Sequence, residues 1–284
     1  MQDASKPIWF KKEKETNINV SNKDINLNVE NNISIMVCTP VHSEVSMHYT
    51  QALLEFQVAC MQRNILVSFL LLKSSLVTQG RNLCVANFLN DKYSHLLFID
   101  ADIDFDSKTI FKMLELDREV IAVPYPMKTL NWDRVHKFKG DIKDSKELSQ
   151  TGFTYPIKVK DKENIKVKDD VMEVTHAPTG CMLIKRQVFD KMIEKYPELR
   201  ISQPTIMNGE AKDKENLWNF FDTYHDLENK KYYGEDFGFC KKWTDIGGKC
   251  YCYIGDYITH IGEYQYSGRF KDELIRSSDV DDLQ

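Results

Sequence analysis

The chain has 284 residues, 29% of them charged and 42% hydrophobic, with a net charge of −5. That length buries one large core or two small ones, and the balance is that of a globular chain in water. With a negative charge and no long Lys/Arg block, nothing points to nucleic acid as a partner. No apolar stretch approaches the ~20 residues of a membrane helix, and the N-terminus shows no signal-peptide h-region. The expected location is therefore the cytoplasm, without a membrane span. Seven cysteines and no Cys-x-x-Cys pair read as reduced thiols and not as zinc ligands.

Residues 1–31 are rich in Lys, Asn and Glu without a sustained apolar period. They read as an N-terminal tail or edge element, with Ile8, Trp9 and Phe10 as docking points. Ile33 to Cys38 reads as a strand that ends in the loop Thr39-Pro40-Val41-His42-Ser43. Ala52, Phe56, Ala59 and Cys60 recur at helical spacing, and Ile65 to Leu72 is a second strand. This is a β-α-β unit, the building block of a parallel sheet, whose ligands sit at the carboxyl ends of the strands. Thr39 and Pro40 are thereby candidate binding residues. Gln79-Gly80-Arg81-Asn82 leads into a helix through Val85, Ala86, Phe88 and Leu89. A cation in a first turn opposes the helix dipole, so Arg81 suits a ligand anion better than it suits the helix. The plain alternative is a surface arginine.

His95 to Ile99 is an apolar strand that ends in three alternate carboxylates, Asp100, Asp102 and Asp104. Strand alternation turns Asp100 and Asp102 the same way if the strand continues, and Asp104 joins them only if the backbone stays extended. Carboxylates at the end of a buried strand are costly unless something positive meets them. A hard divalent cation offsets that cost. The plain alternative is a solvated strand end before a helix capped by Ser107.

Val120 to Val123 is a strand closed by Pro124-Tyr125-Pro126. Residues 127–170 are lysine-rich and weakly periodic, a polar insertion lobe beside the site, with Lys128 and Lys137 as candidates to face an anion. Two strands, Val171 to Thr175 and Cys181 to Ile184, are split by a break ending in Pro178-Thr179-Gly180. That break either permits close backbone approach or is an ordinary turn. Arg186 to Tyr196 reads as a helix ended by Pro197. Trp218, Phe220, Phe221 and Tyr224 form either core or a sugar-stacking wall. Glu235 and Asp236 open a helix, where the dipole stabilises them as caps; in a cleft such a carboxylate also serves as a general base. A last strand, Tyr251 to Ile254, precedes His260, and residues 271–284 read as an acidic tail.

Taken in order, Asp100-Ala101-Asp102, Pro178-Thr179-Gly180, Gly234-Glu235-Asp236 and His260 resemble four motifs of the GT-A fold nucleotide-sugar glycosyltransferases. These are the Asp-x-Asp, the glycine loop, the x-Glu-Asp and the C-terminal histidine. The texture is similar to that of small stand-alone transferases from bacteria and large DNA viruses. The resemblance covers residues 33–262 and implies an α/β fold of GT-A type. That fold has a Rossmann-like, mostly parallel central sheet flanked by helices and a smaller mixed acceptor-side region, here within a single catalytic domain at 32–270.

The resemblance also implies roles. Thr39 and Pro40 border the nucleotide, and Arg81 approaches the donor diphosphate. Asp100 and Ala101 lie against the donor, and Gly180 lets backbone approach the donor sugar. Asp102 and His260 ligate Mn²⁺ or Mg²⁺. Asp104 is a less certain third ligand, because Asp102-Ile103-Asp104 is also an Asp-x-Asp. Asp236, with Glu235 beside it, is the base of an inverting transfer. The donor is a UDP- or GDP-sugar and the acceptor a glycan or other hydroxyl. Two alternatives stand beside this. A nucleotidyltransferase would carry a Gly-rich phosphate loop near the first strand, where Thr39 to Ser43 holds no glycine. The other is a non-catalytic nucleotide-sugar or carbohydrate-binding protein of the same fold.

Overall fold

The structure is a computed structural model. It describes residues 33–277 apart from 141, 143, 160, 162, 163, 203, 208, 209, 213, 214 and 263–265. The expected tail or edge element at 1–31, and the acidic residues after 277, lie outside the described residues.

Ser34–Val41 is β1, Met47–Gln62 is α1 and Leu66–Lys73 is β2. The two strands pair in parallel, as a β-α-β unit requires. Val77–Asn90 (α2) leads to His95–Ile99 (β3), which pairs in parallel with the other edge of β1. A short strand follows, Ile103–Asp104 (β4), then Ser107–Glu115 (α3) and Val120–Ala122 (β5). The lysine-rich lobe contains Trp132–Lys137 (α4), Ser145–Gln150 (α5) and Val167–Lys168 (β6). The chain re-enters the sheet through Val171–Val174 (β7) and Cys181–Lys185 (β8), then forms Arg186–Lys195 (α6). Two hairpins follow: Thr205–Met207 (β9) with Glu210–Lys212 (β10), and Tyr224–Asp226 (β11) with Lys231–Tyr233 (β12). Glu235–Asp245 (α7), Cys250–Tyr253 (β13), Ile258–His260 (β14), Tyr266–Gly268 (β15) and Phe270–Ser277 (α8) complete the chain.

Eight strands form one sheet in the order β2-β1-β3-β8-β5-β13-β7-β6, with β8 and β7 running against the other six. This is a mixed α/β architecture of Rossmann-like kind, with a large, mostly parallel sheet between helices. Strand alternation divides its core. Met36, Cys38, Leu96 and Phe98 face one side with Phe88 of α2, Phe189 of α6 and Trp243 of α7. Ile35, Val37, Leu97 and Ile99 face the other with Phe56 of α1 and Ile110 of α3. Leu96, Leu97, Phe98 and Ile99 are all 0% exposed. Burial of such side chains stabilises the fold by about 1.5–3 kcal/mol each, which explains the continuous apolar run of β3. The seven cysteines are all buried free thiols. Among the described residues no helix is long and apolar enough to cross a membrane.

Several boundaries differ from the expectation. β1 continues through Thr39 and Pro40 to Val41 because its ladder with β2 persists to Lys73. α2 begins at Val77, so Arg81 lies beyond its first turn. The helix after Asp104 is capped by Asp106, whose side chain accepts from the Lys108 N–H at 2.9 Å, and not by Ser107. The stretch from 271 to 277 is helical, and Glu273 of α8 is buried and paired with Arg134 of α4.

Candidate functional site

β1 is flanked by β2 on one side and β3 on the other, so the chain order reverses there, and the strands' carboxyl ends at such a point are where open α/β sheets bind ligands. β8 runs opposite to β3 with Ile99 against Cys181, which brings Gly180 to the same end. The strand does not continue through the three aspartates. The Ile103 N–H bonds the Asp100 carbonyl at 3.1 Å, closing a turn over Ala101 and Asp102. The Asp100 N–H bonds the Gly180 carbonyl (3.0 Å), the Ala101 carbonyl accepts from Ser46 (2.8 Å), and the Asp102 carbonyl accepts from Ile261 (2.7 Å). The turn is thus bonded to β8, to α1 and to the end of β14.

The turn separates the carboxylates. Asp100 Oδ1 takes a hydrogen bond from Arg81 Nη2 at 2.9 Å, and Arg81 Nε donates to Glu235 Oε1 at 3.1 Å. Arg81 is 3% exposed and lies over the Phe98 ring. Burial opposes its charge, but Asp100 and Glu235 outweigh burial and hold the guanidinium above its ordinary range. Its Nη1 is buried with no hydrogen-bond partner. Asn82, the next residue, binds the 219–221 segment, donating to Asn219 Oδ1 and the Phe221 carbonyl (both 3.0 Å). Trp218, Phe220 and Phe221 of that segment are core. Tyr224 instead stacks on Tyr233, which stacks on His176.

Asp102 turns to the other side. Its Oδ2 accepts from Lys128 Nζ and lies 3.3 Å from His260 Nε2. His260 reaches it because β14 pairs with β4, His260 against Ile103. His260 Nδ1 is 3.0 Å from the Pro126 carbonyl, which only accepts, so Nδ1 carries the proton. That second hydrogen bond orients the ring as metal-binding imidazoles are oriented. Burial favours the neutral form of Asp102, but His260 and Lys128 outweigh it and bring its pKa down to about 2.

Asp236 stands at the start of α7, its Oδ1 accepting from the Phe237 N–H at 2.8 Å. Burial first, and then the Glu235 charge, push its pKa up from 3.8 to about 6. Tyr125 connects the two groups. Its buried hydroxyl feels Asp100, Asp236, Arg81 and Asp102, and its ring meets His260 edge-on at 4.9 Å. A Cβ added to Gly180 would come within 2.4 Å of that ring. The glycine of the Pro-x-Gly break is thus a seat for Tyr125.

Not every expected residue reaches the site. Thr39 is 0% exposed and its Oγ1 is 2.6 Å from the Tyr49 hydroxyl, inside the core. Pro40 packs on Gly80 of α2. Asp104 is held in the β4–β14 ladder, where burial, His48 and Glu55 act on it, apart from Asp102 and His260. Tyr125 was not singled out by sequence reasoning. Its only signal was the Pro-Tyr-Pro closure of a buried strand.

A divalent cation fits this donor set. His260 Nε2 and Asp102 Oδ2 lie 3.3 Å apart, and an imidazole nitrogen and a carboxylate oxygen at that spacing can both ligate one divalent cation. Asp100, Asp102, Glu235 and an ionised Asp236 outnumber Arg81 and Lys128 by two charges. Among the described residues no three His, Cys, Asp or Glu side chains are grouped to hold a metal alone. Asp102 and His260 would therefore share the ion with ligand oxygens, as Mg²⁺-type sites on phosphates do.

No family model and no curated protein matches the chain. Among solved structures it is similar to A197 from STIV, at 17% identity and a TM-score of 0.44 over 81% of this chain and 86% of that one. It is similar to a glycosyltransferase involved in the glycosylation of the major capsid of PBCV-1, at 8% identity and a TM-score of 0.31, over 57% of this chain and 66% of that one. A third likeness is to 4-diphosphocytidyl-2C-methyl-D-erythritol synthase from Anaerococcus prevotii DSM 20548, at 8% identity and a TM-score of 0.30, over 76% and 100%. At these scores the likenesses carry no argument about activity, which rests on the site's own residues.

Proposed function

We propose that this chain is a metal-dependent glycosyltransferase of GT-A type that moves a sugar from a nucleoside-diphosphate donor to an acceptor hydroxyl with inversion. The observation that carries the reading is the pairing of β14 with β4, which sets His260 Nε2 3.3 Å from Asp102 Oδ2 with Nδ1 engaged by Pro126. Asp102 and His260 hold Mn²⁺ or Mg²⁺. The ion supplies neutralisation of the charge that develops on the departing diphosphate.

The chain's own residues do the rest. Arg81 locks Asp100 and Glu235 in place, and its unpartnered Nη1 leaves one buried donor for a ligand or water oxygen. Asp236, with a pKa near 6, is ionised at neutral pH and still basic enough to take a proton. The acceptor oxygen bonds the anomeric carbon, the bond from that carbon to the diphosphate oxygen breaks, and the hydroxyl proton passes to Asp236. Positioned bases of this kind contribute ~10²–10⁴-fold. The stack of Tyr224, Tyr233 and His176 beside α7 is a surface for the acceptor.

Calorimetry with UDP- and GDP-sugars and Mn²⁺ tests the reading on Asp102→Asn and Asp236→Asn. D102N is expected to lose metal-dependent donor binding and turnover. D236N is expected to lose turnover while keeping donor affinity. Full turnover in D102N defeats the metal role, and equal loss of donor affinity in D236N makes Asp236 a binding residue. Metal-dependent donor binding without transfer by the unsubstituted chain favours the non-catalytic alternative.

A further inference from the structure

Among the described residues Lys128 is the one lysine or arginine on Asp102, and it sits on the oxygen that faces His260. Its backbone is held on both sides: the Met127 N–H bonds the Thr154 carbonyl at 2.8 Å and the Thr129 N–H bonds the Met127 carbonyl at 2.7 Å. The ammonium itself is on a flexible stem, and its side chain is 37% exposed. A divalent cation between Asp102 Oδ2 and His260 Nε2 would stand directly against that ammonium. Like charges at such a distance repel strongly where water is partly excluded. The ion and Lys128 therefore compete for Oδ2.

We propose that Lys128 is a displaceable counter-cation: it neutralises Asp102 in the metal-free site, yields Oδ2 to the divalent ion, and then contacts the diphosphate that arrives with it. This rests on the metal-dependent reading above. Three considerations support the exchange. Asp102 is 38% exposed and Lys128 37%, so the partner can leave without opening the core, whereas Arg81 is 3% exposed. Lys is a compact point charge with rotatable donors and has no bidentate geometry to lose on moving. Once the ion neutralises Asp102, the freed ammonium is a cation beside the ion's place, where an arriving diphosphate would meet it.

The exchange predicts effects of opposite sign from one substitution. In Lys128→Met, Mn²⁺ alone, titrated by calorimetry without nucleotide, is expected to bind at least about tenfold more tightly, since a competing unit charge is gone. Inorganic pyrophosphate, titrated at saturating Mn²⁺, is expected to bind about two- to fivefold more weakly. Lys128→Arg, which keeps the charge, is expected to retain Mn²⁺ affinity close to that of the unsubstituted chain. Unchanged or weaker Mn²⁺ binding in K128M overturns the proposal and leaves the metal-dependent reading standing. Tighter Mn²⁺ binding with unchanged pyrophosphate affinity overturns the transfer to the diphosphate. No Mn²⁺ binding by either protein without nucleotide overturns the exchange, and no Mn²⁺-dependent pyrophosphate binding by either overturns the metal-dependent reading as well.

Discussion

Asp100 and Asp102 stand two residues apart in one turn and have different surroundings. Asp100, 27% exposed, meets an arginine that is 3% exposed and is shared with Glu235 of α7, so it belongs to an ion cluster built on a buried guanidinium that ties β3, α2 and α7 together. Asp102 meets a lysine on a lobe residue and a histidine from β14, and both it and the lysine are more than a third exposed. The first carboxylate is architecture that shapes the site, and the second is a partner open to exchange. The contrast shows that a repeated acidic motif need not mean a repeated role. What sits opposite each side chain, and how much water reaches it, decides the chemistry.

The largest expected effect tests the more buried half. Arg81→Met leaves Asp100 and Glu235 without their cation and is expected to destabilise the chain by about 3–5 kcal/mol in denaturant unfolding. D102N, in the exposed half, is expected to change stability by less than about 1 kcal/mol. Equal losses in the two variants break the distinction.

A smaller effect probes the seam between the halves. Gly180→Ala drives a Cβ to 2.4 Å from the Tyr125 ring and is expected to cost about 1–3 kcal/mol. In a Tyr125→Ala background most of that cost should vanish, because residues in contact do not add independently. A cost unchanged by removing the ring places the strain elsewhere.

A third test is in pH. The folded-state pKa of Asp236 is raised from 3.8 to about 6, so the native state binds this proton more tightly than the unfolded chain. Its contribution to stability is full below about pH 4 and is lost as the pH rises through 6. D236N never ionises, so its stability relative to the unsubstituted chain is expected to rise between about pH 4 and 6 and to be level on either side. Turnover of the unsubstituted chain is expected to fall as the pH drops through 6. A flat stability difference across that window, measured by unfolding at fixed pH, shows that Asp236 is not buried beside Glu235 as described.

The element order was legible because its signals are local. The β3 run, the period of Phe56 and Cys60 on α1 and the Gly247 stop after α7 each depend on a few neighbouring residues. Gly247 adopts φ +89, a left-handed conformation that suits glycine at a helix end. The candidate site was partly legible. Arg81, Asp100, Asp102, Gly180, Glu235, Asp236 and His260 were singled out and lie around the Asp100–Asp102 turn and Tyr125. Thr39 was misplaced because the end of a strand depends on how far its neighbour extends, and β2 extends to Lys73. Asp104 was ambiguous because period-two alternation fails once the chain turns, and the bond that closes the turn is invisible in composition. Tyr125 was passed over because a tyrosine between two prolines says nothing of the glycine 55 residues later that seats it.

The sequence by itself determined the β-α-β start, the burial of β3 and the supply of carboxylates, since hydrophobic periodicity and helix-end chemistry act over a few residues. Only the tertiary structure decided which cation each carboxylate meets. Arg81 and Glu235 are separated by 154 positions and become neighbours through the packing of α2 and α7 beside β3. His260 reaches Asp102 through a two-residue ladder between β14 and β4. Electrostatic partnership depends on distance and dielectric in space, and both are set when distant elements pack.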